Sequence, residues 1–166
     1  MTAKTDFTPE EWKQVLGSVL IAGMAVTLAD PSGLIGLTKE GLATGGALLA
    51  AKSDPNTSAL VKAVVADFET SEGRSTARDL IKATVAGKQG AEMKAALLAA
   101  LAHAGNILDT KASADAPAFR AWLAQISQRV AEAAGEGGFL GFGGVRVSDA
   151  EKATLDDISK ALRLSA

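Results

Sequence analysis

The chain contains no cysteine, no tyrosine and a single histidine among its 166 residues. The absence of cysteine excludes a disulfide framework, a cysteine-based zinc site, an iron–sulfur cluster and a thiol nucleophile. It also fits a reducing compartment, and we expect a cytoplasmic protein. A Ser-His-Asp triad would have to use His103, which lies in an Ala/Leu-rich stretch with only Asp109 as a nearby acid. The sequence therefore favours a protein that is not an enzyme.

The chain also lacks an excess of charge of either sign. It has 17 basic and 19 acidic residues, which give a net charge of -2. Nucleic-acid-binding surfaces are basic or carry an aromatic-basic stripe, whereas aromatic residues are only 4% of this chain. We expect no nucleic-acid partner. No basic segment runs directly into an apolar core near residue 1, so we also expect no secretory signal.

Apolar residues, in contrast, make up 48% of the chain and are mostly Ala, Leu and Val. Ala is the best helix former and takes little room, so this composition favours closely packed helices. Apolar residues recur at helical spacing in most segments, and Pro-, Gly- or Asp-containing breaks separate these segments. We predict a mainly α fold, a single-domain bundle of about seven helices over residues 1–166.

Two helices carry complete start signals. Thr8 with Glu11, and Ser148 with Glu151, have the spacing of a capping box. A predicted helix over residues 38–52 contains several glycines. Glycine lowers helix propensity, so we expect that packing against a neighbouring part of the chain requires these glycines. The segment Ser71–Gly73 is typical of a break between helices.

An apolar stretch from Val15 to Ala29 precedes this glycine-rich helix. It is shorter than the ~20 residues that a membrane span needs, so we expect a buried hairpin and consider membrane contact unlikely. A membrane-active protein that uses residues 15–51 is one alternative. Another is a carrier that holds a small apolar ligand between the glycine-rich helices, where missing side chains leave room.

A glycine-apolar pattern occurs twice, at Gly33–Leu37 and at Gly138–Phe142. Such alternation lets a backbone run close to its neighbour while large side chains are buried. The second copy continues through a Gly-Gly turn, which predicts a short β-hairpin over residues 139–147. Contact between the two segments is a hypothesis, and chance recurrence in a chain with 17 glycines is the alternative. The large apolar residues of both segments either complete the core or dock a partner, and they are Phe139, Leu140, Phe142, Leu34 and Ile35.

Charged residues gather at one predicted helix junction, and we call them the polar cluster: Asp67, Glu69, Glu72, Arg74 and Arg78. Arg74 and Arg78 are four residues apart and share a helix face. The cluster lacks the spacing of known metal-ligand motifs, so we expect no metal. A solvated face with salt bridges is the favoured interpretation, and an anion site is the alternative.

The stretch from Val147 to Leu162, a turn followed by a Ser-x-x-Glu-started helix, resembles a half-motif of the tellurite-resistance TerB-like helical family. Residues 29–40 are similar to the family's other half. The Asp-Gly dipeptide and acidic turn that this family associates with metal binding are replaced here by Gly143-Gly144 and Val145–Val147. The resemblance therefore implies a helical fold and no metal ligands. The rest of the chain resembles small bacterial all-helical proteins.

Taken together, these patterns predict a non-enzymatic helical binding or assembly module. Its partner would be another protein or a second copy of the chain, with Phe139, Leu140 and Phe142 as anchors. No nucleotide-type glycine motif occurs, so we expect no cofactor.

Overall fold

The computed structural model describes residues 2–29, 37–135 and 147–164. Within these ranges it contains seven α-helices, a short 3₁₀ helix at Lys4–Asp6 and no β-strand. The α-helices are α1 (Pro9–Thr27), α2 (Leu37–Ser53), α3 (Ala59–Phe68), α4 (Ser71–Val85), α5 (Gly90–Lys111), α6 (Ala116–Gly135) and α7 (Asp149–Ala161). The prediction of a mainly α bundle of about seven helices is confirmed. The predicted hairpin over residues 139–147 lies outside the described residues, except for Val147.

The two predicted capping boxes are present. The Thr8 hydroxyl accepts the Glu11 N–H at 3.3 Å, and the Glu11 carboxylate accepts the Thr8 N–H at 2.8 Å. Ser148 and Glu151 make the same reciprocal pair at 3.2 and 2.7 Å. Each pair satisfies backbone N–H groups that have no partner within the helix, and this is why α1 and α7 begin where they do.

Helix α1 lies at the centre of the bundle. It packs against α4, α5 and α6, and also contacts α2 and α7. Val15, Leu16, Val19 and Ile21 are fully buried. The apolar stretch that begins at Val15 therefore supplies the core to which the other helices are added. None of the helices in the described ranges is long and apolar enough to cross a membrane.

Helix α6 covers one side of α1 with an apolar face. Phe119, Leu123, Ile126 and Val130 of this face are fully buried. The buried Ser127 hydroxyl donates to the carbonyl oxygen of Ala22 in α1 at 2.9 Å, across 105 residues of chain. This hydrogen bond gives a partner to a hydroxyl that is shielded from water.

The start of α4 corrects one prediction. Ser71–Gly73 is not a break but the first turn of α4, because the Thr70 hydroxyl accepts the Gly73 N–H at 2.9 Å and caps the helix. At Gly73, the backbone of α4 also lies close to the end of α3. A Cβ atom at Gly73 would lie 2.1 Å from the carbonyl oxygen of Asp67. The glycine is therefore required by packing between helices rather than by a turn.

The glycines of α2 correct a second prediction. A Cβ atom at Gly45 or Gly46 would meet nothing within 4 Å, so the expectation of a packing reason is wrong at these two positions. Close contact between α1 and α2 occurs at Gly23, where an added Cβ would lie 3.1 Å from the Thr44 hydroxyl. At Gly17, the neighbour of α1 is Leu80 of α4, whose Cδ2 atom would lie 2.3 Å from an added Cβ.

Candidate functional site

A groove of about 430 Å³ lies between α1, α2 and α4, beside the end of α3, and we call it the α1–α2–α4 groove. Its large apolar lining residues are Leu20, Met24, Leu48, Phe68 and Ile81. Except for Phe68, these side chains are only half-buried, because the groove is open on one side. The described structure thus has an apolar surface that the bundle itself leaves partly uncovered.

Gly45 is one of the residues by which α2 borders the groove. A Cβ atom added at Gly45 would meet nothing within 4 Å, so there is open space at this position. Leu49 follows Gly45 by four residues, which places it on the same side of α2, and it is 67% exposed. The apolar surface of the groove therefore continues outward along α2.

Two arginines of α4 also line the groove. Arg74 donates from Nη1 to the carbonyl oxygens of Phe68 and Glu69, at 2.9 and 2.8 Å, and so caps the end of α3. Arg78 is exposed and makes no hydrogen bond or ion pair with any residue that the structure describes. Among these residues, no carboxylate lies within 4.0 Å of either guanidinium group. The groove thus carries two positive charges without a carboxylate partner in the described chain.

The acids of the polar cluster are engaged elsewhere. The Asp67 carboxylate accepts the indole N–H of Trp12 at 2.6 Å and pairs with Lys4 Nζ at 3.0 Å. Glu69 pairs with Lys52. Glu72 is exposed beside a separate cleft next to Trp12. The structure therefore divides the predicted cluster: its arginines line the groove, and none of its carboxylates lies within 4.0 Å of them.

In the described ranges, no group of three or more histidine, cysteine, aspartate or glutamate side chains could hold a metal ion. The carboxylate of Asp109, the acid nearest to His103 in sequence, instead pairs with Arg120 at 2.7 Å and with Arg163 at 3.1 Å. His103 itself is exposed on α5. The structure thus places Asp109 in a network of arginines.

Two carboxyl groups have a lowered pKa, and neither lines the groove. The N–H of Thr8 holds the pKa of Glu11 below its usual value, chiefly by its hydrogen bond to the carboxylate, and Lys111 adds to this effect. The hydrogen bond from Lys94 lowers the pKa of Asp157 in the same way. Both shifts follow from bonds between or within helices, so they do not indicate a reactive site.

The candidate interaction residues Phe139, Leu140, Phe142, Leu34 and Ile35 lie outside the described residues. In contrast, Arg74 and Arg78 of the predicted polar cluster line the groove. The apolar lining residues were not predicted as a site, although the sequence contains part of the signal. Leu20, Gly23 and Met24 have the spacing of one face of α1. Gly45 lies in the glycine-rich helix, and a ligand between this helix and α1 is one of the alternatives that the sequence leaves open.

No family model, curated protein or solved structure matches this chain. The resemblance to the TerB-like family stays a prediction, and function has to be inferred from the geometry of the chain itself.

Proposed function

We propose that the protein is a non-enzymatic binding module that takes a small, largely apolar ligand into the α1–α2–α4 groove. The observation that carries this proposal is the empty space beside Gly45 within an apolar lining. The volume of about 430 Å³ is within the range of ~300–1,000 Å³ that is typical of small-molecule sites. A cytoplasmic location is part of the proposal and is supported by the absence of cysteine.

A second cleft, between α6 and α7, is less suited to an apolar ligand. It has a volume of about 620 Å³, and its lining combines Leu155, Ile158 and Leu164 with Gln125, Gln128, Asp156 and Lys160. An apolar ligand there would remove water from amide and charged groups without giving them hydrogen bonds, which is unfavourable. The α1–α2–α4 groove exposes mostly carbon, so an apolar ligand would displace water from it at little polar cost.

Assembly with a protein partner or a second copy of the chain, with the five candidate interaction residues as anchors, stays a prediction of the sequence. We favour the groove because its apolar lining and the open space at Gly45 support a ligand site.

The proposal is tested by filling the groove. Gly45→Leu places a side chain in the empty space, whereas Gly46→Leu makes the same change at an adjacent open position that does not line the groove. We expect wild type and Gly46→Leu to bind decanol in isothermal titration calorimetry, and Gly45→Leu to bind it at least about tenfold more weakly. Absence of saturable decanol and decanoate binding by wild type would overturn the proposal. Equal binding by the two leucine variants would show that the ligand lies elsewhere.

A further inference from the structure

The α1–α2–α4 groove has a positively charged part as well as an apolar one. Arg74, Arg78 and Ile81 follow one another at intervals of four and three residues, so they form one stripe along α4. All three line the groove. A ligand lying along this stripe would meet guanidinium groups at one end and apolar surface at the other.

The positive charge has no carboxylate partner within the described chain. The hydrogen bonds of Arg74 go to backbone carbonyls and to the Ser71 hydroxyl, all of which are uncharged. The acids nearest in sequence are Glu72 and Asp79, and neither carboxylate lies within 4.0 Å of the guanidinium groups of Arg74 and Arg78. Asp79 faces Lys82 at 3.9 Å, and Asp67 and Glu69 also pair with lysines. An anion from outside is therefore the partner that would complement this charge, because hydrogen bonds between two charged groups are stronger than those between neutral groups.

We propose that the ligand of the groove is an anionic amphiphile, an alkyl chain with a carboxylate head group. The chain lies against Leu20, Met24 and Leu48, and the carboxylate meets the guanidinium of Arg78. Arg78 is suited to this role because its planar guanidinium can bind a carboxylate through two parallel hydrogen bonds. Arg74 keeps its bonds to the end of α3 and adds positive potential. This inference rests on the proposed function, since it requires that the groove be a ligand site.

The test compares probes that share an alkyl chain and differ in head group: decanoate, decanol and decyltrimethylammonium. Binding to the full chain is measured by isothermal titration calorimetry at low ionic strength. We expect decanoate to bind at least about tenfold more tightly than decanol, since a charge-assisted pair adds to the same apolar contact. Decyltrimethylammonium is expected to bind most weakly, and added salt is expected to weaken binding of decanoate but not of decanol.

Arg78→Gln isolates the charge, and Arg129→Gln is the matched control. Arg129 is exposed on α6, has no ion pair with a described residue and does not line the groove. We expect Arg78→Gln to weaken decanoate binding about tenfold and to leave decanol binding unchanged, while Arg129→Gln changes neither. Circular dichroism establishes that each variant retains its helices.

Two further results separate this inference from the proposed function. If wild type binds decanoate and decanol equally, or if Arg78→Gln weakens both to the same extent, the anionic head group is wrong and the apolar groove remains a ligand site. If wild type binds neither probe, the proposed function fails and this inference fails with it.

Discussion

Helix α1 meets α4 and α2 on two different sides, and the glycines there have opposite consequences. Toward α4, Gly17 lies so close to Leu80 that an added Cβ would be 2.3 Å from the Leu80 Cδ2 atom. Toward α2, the groove is bordered by Gly45, where an added Cβ would touch nothing within 4 Å. One glycine brings two helices together, whereas the other leaves a space between them.

The same difference between a closed contact and an open one is found along α4. Gly73 lets the first turn of α4 approach the backbone of Asp67, and that junction is closed. A short distance along α4, Arg78 and Ile81 face the open groove. A helix can therefore use one part of its surface for stability and leave another part for a ligand, because close packing at one contact does not require it at the next.

The largest expected effect is that of Gly73→Ala. The added Cβ would lie 2.1 Å from the Asp67 carbonyl oxygen, and a backbone atom cannot rotate away as a side chain can. We expect the free energy of unfolding, measured by urea denaturation, to fall by about 3 kcal/mol. A variant as stable as wild type would mean that the end of α3 can move freely, and the contrast between closed and open contacts would be lost.

A smaller loss is expected for Gly17→Ala, since the atom that it meets first is the end of a flexible side chain. Leu80 Cβ would still lie only 3.0 Å away, and we expect a loss of about 2 kcal/mol. The change is repeated in a Leu80→Ala background, which removes the Cδ2 and Cγ contacts and keeps the Cβ contact at 3.0 Å. There the cost of Gly17→Ala should be clearly smaller in the same urea measurement. An equal cost in both backgrounds would show that Leu80 is not the source of the effect.

The smallest effect, and the only one of opposite sign, is expected for Gly46→Ala. Its Cβ has open space, and alanine is a better helix former than glycine. We expect the free energy of unfolding to rise by about 0.5–1 kcal/mol, measured by thermal and urea denaturation. A loss of stability would show that α2 depends on this glycine for packing, contrary to the open space at this position.

The parts of the fold that were predicted correctly depend on neighbouring residues. The Thr8 hydroxyl and the Glu11 N–H that it accepts are three residues apart, so the sequence contains both partners of the cap. The buried face of α6 follows in the same way from the regular spacing of Phe119, Leu123 and Ile126.

The parts that were missed depend on residues far apart in the chain. Whether Gly45 is packed or open is decided by what lies across from it, and no local pattern shows this. The sequence predicts a break at Ser71–Gly73 because serine and glycine close together are common in loops. Gly73 is needed instead for the close approach of α4 to Asp67.

The polar cluster shows the same limit at the candidate site. Sequence proximity suggested that its acids and arginines belong together, and the shared face of Arg74 and Arg78 on α4 was expected. Asp67 and Glu69 pair instead with Lys4 and Lys52, which come from other segments of the chain. The sequence offers a ligand between α1 and α2 only as an alternative, and it does not predict the wall that α4 supplies, because three helices from separate parts of the chain form the groove.

The central position of α1 has a consequence for synthesis on the ribosome. α1 precedes all the helices that bury it, and Ser127, which binds the carbonyl of Ala22, comes 105 residues later. At ~5–20 residues per second, roughly 5–20 s pass between the translation of these two residues. During that interval the apolar side of α1 is not yet covered by α6. The nascent chain therefore exposes a hydrophobic helix to chaperones and to other nascent chains until α6 has emerged.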